Sequence, residues 1–156
     1  DLTHANEALL YENQGLRAKL NGIDTIPILY LGDEDEFFPN EIKEMILVAL
    51  EEKLAKIDSK TRQADILKDV VYNNGGCQHI ASQKAQKLKS ALKGYKNVSS
   101  SMRQLLTELG FVISEEGKHY KLTYYGDGRY WTTIAKSPSD NRTGTNVALT
   151  IIKNML

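Results

Sequence analysis

The chain has 156 residues, of which 41% are hydrophobic, and its 20 basic residues balance its 20 acidic residues. This length suits one domain, or one small domain with appended helices, and no stretch approaches the roughly 20 apolar residues that a membrane span requires. The single cysteine excludes an internal disulfide and favours a reducing, cytoplasmic compartment. Because the chain begins with Asp1 rather than Met, we expect a piece of a longer protein.

The neutral total conceals an uneven distribution of charge. Residues 1–79 contain 8 basic and 15 acidic residues, whereas residues 80–156 contain 12 basic and 5 acidic residues, so the halves carry net charges of −7 and +7. Such segregation predicts that the basic half contacts a polyanion, or that the two halves contact each other.

Residues 1–22 are predicted to form an amphipathic helix or the end of a coiled coil. Leu2, Leu9 and Leu16 recur every seven residues, with charged residues between them, and an Asn-Gly pair provides a helix end. A coiled coil here would make the protein a homodimer through residues 2–20.

Residues 23–40 are predicted to be an extended, acidic linker. The segment begins with β-branched and apolar residues, but Pro27 disfavours a central strand. The four consecutive carboxylates at 33–36 lack the spacing that hard-cation sites require. We therefore expect a solvated acidic run and no metal site there.

Residues 41–95 are predicted to be a helical region that serves as an interaction or spacer module. A helical stripe that includes Met45 covers residues 41–57, and Asn40 is the expected cap of this helix. A second helix is expected to start at Ser59, and a lysine-rich third helix covers residues 78–95.

The pattern changes from residue 97 onward. A helix that begins near Ser99 is followed by period-2 alternation and then by another helical stripe. This order predicts an α+β fold, with a three-stranded antiparallel sheet that two helices cover on one face. The expected α-β-β-β-α elements are a helix over 99–110, strands over 111–114, 119–125 and 129–135, and a helix over 145–156.

Three short motifs in this unit carry a family resemblance. They are Leu109-Gly110-Phe111, Gly117-Lys118-His119 and Gly144-Thr145. The order of elements resembles the double-stranded-RNA-binding-domain fold, and the motifs over residues 99–156 are most similar to the HicA family of small bacterial toxins. That resemblance implies a metal-independent messenger-RNA endonuclease in which His119 acts in cleavage. Lys118 departs from the usual serine, and the position at the C-terminus of a longer helical protein favours a recognition module over a free toxin.

Three roles remain open for His119. Alternation places His119, Lys121, Thr123 and Tyr125 on an exposed face, with Leu122 on the core side. RNA cleavage requires a base and an acid, and this unit contains no second histidine. Binding requires only a donor to a phosphate or a 2′-hydroxyl, and a purely structural role in the hairpin requires neither.

Basic and aromatic residues around this face are typical of nucleic-acid contacts, although exposed aromatics also serve as ordinary cross-strand partners. The loop at 136–144 leads to a helix N-terminus that can hold a phosphate, or that Thr143 or Thr145 simply caps. The predicted nucleic-acid-binding residues are Lys118, His119, Lys121, Tyr125, Arg129, Trp131, Lys136, Arg142 and Thr145.

These features together favour a nucleic-acid-binding module for RNA or duplex backbone, with low sequence specificity and with RNA as the expected partner. One alternative is a HicA-like endoribonuclease that uses His119. Another is a dimerising scaffold whose basic C-terminal domain docks an acidic protein. The chain contains no phosphate-binding loop, dinucleotide fingerprint or Cys/His cluster at metal-ligand spacing, so no cofactor and no metal is predicted.

Overall fold

The computed structural model describes residues 1–20 and 27–156. The predicted Asn-Gly helix end and the start of the predicted linker lie outside these residues. The chain divides into two compact units, Asp1–Asp35 and Glu36–Leu156.

The first unit consists of helix α1 and an irregular segment. Helix α1 spans Leu2–Leu20, which confirms the predicted helix. Residues 27–32 have no regular secondary structure, and the Tyr30 hydroxyl donates a hydrogen bond to the side-chain oxygen of Gln14. The leucines of the heptad pattern are exposed within this unit.

The second unit contains five helices and three strands among the described residues, and it confirms the predicted α+β class with its α-β-β-β-α portion. Its elements are α2 Glu41–Lys56, α3 Arg62–Asn73, α4 Ile80–Leu92, α5 Ser100–Glu108, β1 Phe111–Glu116, β2 His119–Tyr124, β3 Trp131–Ala135 and α6 Thr143–Met155.

The strands form one antiparallel sheet in the order β1-β2-β3. A two-residue turn, Gly117-Lys118, joins β1 to β2, and Gly117 has a φ of 60° that a hairpin turn of this length favours. Helix α5 packs against β1 and helix α6 against β3. Two helices therefore cover one face of the sheet, as predicted.

The hydrophobic core lies between these helices and the covered face of the sheet. Leu88 and Leu92 of α4 are fully buried in it, so part of the predicted helical region belongs to the same core as the sheet. The other buried members are Tyr95, Met102, Leu106, Leu109, Phe111, Tyr120, Leu122, Tyr124, Ile134, Ala148, Ile151 and Met155.

Helix α2 buries a different face from the predicted one. Leu47 is buried, whereas Met45 is 51% exposed. Glu44 is buried as well, because its carboxylate accepts hydrogen bonds from the backbone N–H groups of Gln78 at 3.1 Å and Ile80 at 3.3 Å. Ile80 is the first residue of α4, where a backbone N–H has no partner inside the helix, and Gln78 lies two residues before it. The buried face of α2 is therefore the one that carries Glu44 and Leu47, and not the predicted apolar stripe.

Of the helix starts predicted for α2, α3 and α5, two are wrong and one is confirmed. Asn40 makes no side-chain cap; the Glu36 carboxylate instead accepts hydrogen bonds from the backbone at Asn40 and Ile42. Helix α3 is capped by Thr61 rather than started by Ser59. Ser99 caps α5 as expected, by accepting a hydrogen bond from the backbone N–H of Met102.

Two glycines of the sequence motifs are required by packing. Gly110 has a φ of 105°, and a Cβ there would overlap the ring of Tyr125. A Cβ at Gly144 would overlap the carbonyl oxygen of Leu92, at the end of α4. Both motifs therefore allow a close approach between elements.

Candidate nucleic-acid interface

The sheet face opposite the core is open. Strand register builds three rows across it: Val112–Thr123–Trp131, Ser114–Lys121–Thr133 and Glu116–His119–Ala135. The intervening residues of β2, namely Tyr120, Leu122 and Tyr124, are buried on the helix side. The predicted alternation along β2 is therefore confirmed for residues 119–124.

Trp131 and Lys121 lie next to each other on the open face, with Trp131 in the row at one end. The Lys121 Nζ lies 4.7 Å from the centre of the Trp131 ring, and the tryptophan remains 51% exposed. The neighbouring Val112 is 54% exposed. An exposed aromatic ring with a cation beside it can stack on a base while the cation contacts a phosphate.

His119 lies at the other end of this face. Its imidazole is exposed, and Glu116 is its partner across the hairpin. Lys118 occupies the adjoining turn, where its carbonyl accepts a hydrogen bond from the backbone N–H of Lys136. Within the described part of the chain, the His119 side chain makes no hydrogen bond or ion pair. It is thus available to a ligand.

Three of the predicted basic contacts are engaged locally. Arg129 pairs with Asp127 at 2.8 Å, and its hydrogen bonds lower the pKa of that carboxyl. Arg129 lies in the loop before β3 rather than on the strand predicted there.

Arg142 and Lys136 also have acidic partners. Arg142 pairs with Asp140 at 3.4 Å, while Lys136 lies 3.7 Å from Glu115 and 4.9 Å from the centre of the Tyr120 ring. Exposed pairs of this kind contribute little to stability, so a phosphate can replace either acidic partner.

Tyr125 does not lie on the open face as predicted. It follows the end of β2 with a φ of 49°, which turns it out of the strand alternation. Its ring stacks on Phe37 at 5.2 Å, and its hydroxyl lies 3.3 Å from the Nζ of Lys84. Tyr125 therefore belongs to an aromatic cluster around Lys84.

That aromatic cluster encloses a partly buried ammonium group. The Lys84 Nζ lies 4.1 Å from the centre of the Phe38 ring and donates a hydrogen bond to the Tyr124 hydroxyl at 2.8 Å. Burial lowers the pKa of Lys84 and raises the pKa of Tyr124. Lys84 was not among the site residues predicted from the sequence, although the paired aromatics Phe37-Phe38 and Tyr124-Tyr125 were the signal that could have located it.

The start of α6 is packed rather than open. Thr143 is its first residue, and neither Thr143 nor Thr145 caps it with a side chain. Gly144 is buried against α4, while Thr145 remains exposed. The loop before α6 is also fastened by a 2.8 Å hydrogen bond from Lys96 to Asn141. Thr145 therefore belongs to α6 and is not part of the open face of the sheet, which β1, β2 and β3 form.

Comparison with known proteins found no matching family model, curated protein or solved structure. Among the described residues, no helix is long and apolar enough to cross a membrane.

A second group of chemically active side chains was not predicted from the sequence. Glu51 of α2 lies beside Cys77 and His79, which belong to the connection between α3 and α4. The short Cys-x-His spacing was the available signal, but the third member is more than twenty residues away in the sequence.

Proposed function

We propose that the Glu36–Leu156 unit binds nucleic acid through its open sheet face, with RNA preferred to DNA and with low sequence specificity. The observation that carries this proposal is that Trp131, Lys121 and His119, one from each of the three rows, lie on the same uncovered face, with Lys118 in the turn beside His119. Neighbouring rows are two residues apart along β2, so the rows of Trp131 and His119 are about 13 Å apart.

The chemistry of this face suits a flexible single strand or a loop. Trp131 offers a stacking surface that accepts any base, and Lys121 and Lys118 offer positive charge along the backbone. His119 can donate a hydrogen bond to a phosphate or to a 2′-hydroxyl, and the 2′-hydroxyl distinguishes RNA from DNA. The net charge of +7 on residues 80–156 favours the same partner.

Fluorescence anisotropy with labelled single- and double-stranded RNA and DNA tests this function. Trp131→Ala is expected to weaken binding roughly 5- to 150-fold, because one stacked base contributes about 1–3 kcal/mol. Tyr72→Ala removes another exposed aromatic, on α3, and should leave binding unchanged.

The contribution of positive charge on the open face is tested with a second pair of variants, one on this face and one on α6. Lys121→Ala should weaken binding and reduce the steepness of its salt dependence by about one ion, since one phosphate contact is lost. Lys153→Ala removes an exposed lysine on α6, which covers the other face, and should change the salt dependence less. Absence of binding to every substrate at low salt would disprove the proposed function, and a scaffold that docks an acidic protein would then be favoured.

RNA cleavage is a second candidate because Glu116 faces His119 across the hairpin. A carboxylate and an imidazole can share the base and acid roles that a lone histidine cannot fill. Cleavage of labelled RNA in the presence of a chelator, abolished in His119→Ala while binding persists, would establish a metal-independent ribonuclease. Binding without cleavage in the wild type would restrict the protein to recognition.

Self-association is proposed for the first unit. Leu2, Leu9 and Leu16 are 82%, 57% and 50% exposed on one helix, which suits the seam of a homodimeric coiled coil. Sedimentation of the wild type and of Leu9→Lys distinguishes a dimer through residues 2–20 from a monomer. We propose a cytoplasmic location for the protein, because its single cysteine suits a reducing compartment.

A further inference from the structure

A thiol, an imidazole and a carboxylate converge where α3 connects to α4. The ligand atoms of Cys77, His79 and Glu51 all lie within 4.8 Å of one another. The Nε2 of His79 lies 3.4 Å from Oε2 of Glu51.

We propose that Glu51, Cys77 and His79 bind a zinc ion. Thiolate, imidazole and carboxylate are the three ligand types that zinc takes from proteins. Zinc–ligand bonds of about 2.0–2.3 Å in a tetrahedron place ligand atoms roughly 3.3–3.6 Å apart, which the His79–Glu51 separation already matches. Three protein ligands leave the fourth position to water, an arrangement typical of catalytic rather than structural zinc.

The backbone around the two loop ligands is held in place. The buried Glu44 carboxylate accepts hydrogen bonds from Gln78 and Ile80, the residues on either side of His79. On the other side of Cys77, the Gly76 N–H donates to the last turn of α3 at 2.9 Å. Metal sites depend on outer contacts of this kind to orient their ligands.

His79 has an unusual backbone conformation. Its φ is 55°, in the left-handed region that residues other than glycine seldom adopt. Such conformations are maintained where the surroundings or a ligand compensate for their cost. Here the conformation accompanies the approach of the imidazole to Glu51.

The electrostatic surroundings suit a cation. Burial, followed by the hydrogen bond to Glu51 and the charges of Glu51 and Glu44, raises the pKa of the Cys77 thiol to about 11. A divalent cation offsets the two carboxylates and stabilises the thiolate.

A cleft that is open to solvent leads to Glu51, one of the three proposed ligands. Glu51 also lines an open cleft of ≈ 940 Å³ between α2 and α3, together with Leu54, Lys68 and Tyr72. A small molecule or a water can therefore reach Glu51 from solvent.

Zinc affinity can be measured on the full chain by competition with a chromophoric chelator, and cobalt(II) serves as the spectroscopic probe. We expect one zinc per chain, and a near-ultraviolet thiolate-to-cobalt charge-transfer band together with the visible bands of tetrahedral cobalt. Cys77→Ser should remove the charge-transfer band. Cys77→Ser and His79→Gln should each lower the zinc affinity by at least about tenfold.

Matched controls separate the site from general charge effects. Glu51→Gln should weaken zinc binding, whereas Glu52→Gln, the same change one position along α2, should not. His4→Gln is the corresponding control for His79→Gln. Circular dichroism reports whether each variant folds.

A measurement on the unaltered chain keeps the test decisive if a variant fails to fold. Zinc should slow alkylation of Cys77 by iodoacetamide and raise the Tm, because an ion that binds only the folded state stabilises it. Absence of saturable one-to-one binding would overturn the zinc site. So would unchanged affinity in folded Cys77→Ser and His79→Gln, which would place the ion elsewhere, for example on the acidic run at 33–36.

Discussion

His119 and His79 both belong to the Glu36–Leu156 unit and both have exposed imidazoles, yet their surroundings differ. His119 lies in a motif-rich stretch, but its side chain makes no hydrogen bond or ion pair within the described residues. His79 lies in a stretch without a recognisable motif, but its Nε2 is 3.4 Å from a carboxylate oxygen and near a thiol.

The difference shows that a sequence motif around a histidine does not by itself indicate that other reactive side chains lie near it in the fold. Of the motif glycines, Gly110 and Gly144 are explained by close packing, and Gly117 by the positive φ of the hairpin turn. The grouping around His79 arises from contact between α2 and the α3–α4 connection, which no local pattern encodes. A histidine within a motif can thus serve a surface, while one outside any motif can belong to a built site.

The largest expected effect concerns the motif glycine Gly144. Gly144→Ala should lower the free energy of unfolding by about 2–3 kcal/mol, because the added methyl overlaps the Leu92 carbonyl and forces α6 away from α4. Gly128→Ala, where nothing lies within 4 Å of the added Cβ, should change the stability little. Urea denaturation measures both. A stable Gly144→Ala variant that loses RNA affinity would instead connect this motif to binding.

Glu44 tests whether the His79 site is preorganised. Glu44→Gln retains one acceptor oxygen of the two that hold Gln78 and Ile80, and it removes the negative charge at the start of α4. We expect a loss of about 1–2 kcal/mol in stability and about tenfold in zinc affinity. Glu52→Gln is the control for both measurements. Unchanged zinc affinity would mean that Glu44 serves the helix alone.

The stability at alkaline pH tests the burial of tyrosines in the core, on the side of the sheet opposite His119. Burial raises the pKa of Tyr124 and of Tyr95, so both phenols stay neutral in the folded state at a pH where the unfolded chain ionises. Their stabilisation is complete below pH 10, and it is lost as the pH rises above that value, by up to about 1.4 kcal/mol per pH unit for one group. Lys84, whose pKa burial lowers, acts in the opposite direction up to pH 10.5 and offsets the early part of this loss.

Urea midpoints between pH 8 and pH 11.5 measure this alkaline loss. In Tyr124→Phe the decline should be shallower than in the wild type, because only two of the three phenols whose pKa burial raises, Tyr95 and Tyr125, remain. Equal declines in both proteins would assign the loss to other groups.

The smallest effect is expected at the rim of the open face. Asp127→Asn removes one carboxylate partner of Arg129 and a negative charge from the loop that leads into β3. The Tm should be unchanged, because exposed pairs contribute little to stability, and RNA affinity should rise about two- to threefold at low salt. Asp69→Asn makes the same charge change on α3, more than forty residues before the first strand of the sheet. This control should leave the RNA affinity unaltered. A fall in affinity would show that the Asp127 pair positions Arg129 for binding.

Most secondary structure could be predicted because its signals are local. The change from helical to alternating hydrophobicity near Gly110 predicted the order of α5, the three strands and α6 correctly. The errors concern elements whose buried side depends on distant partners: α2 presents Leu47 and Glu44 inward rather than Met45, since Glu44 reaches the start of α4.

The candidate sheet face was predictable only in part. Alternation placed Lys121 and His119 on the open side, and it placed Leu122 in the core. It failed for Tyr125, because a positive φ ends the alternation and an aromatic cluster takes the ring. It also could not show that Arg129 already has a carboxylate partner.

The amino-acid sequence by itself determined the fold class, the strand order of the hairpins and the exposed side of β2, since each follows from short-range periodicity and turn chemistry. The tertiary structure alone decided that Glu51 meets Cys77 and His79 and that Lys84 lies among aromatic rings. These contacts join residues separated by more than twenty positions, so they depend on how helices pack and not on any pattern along the chain.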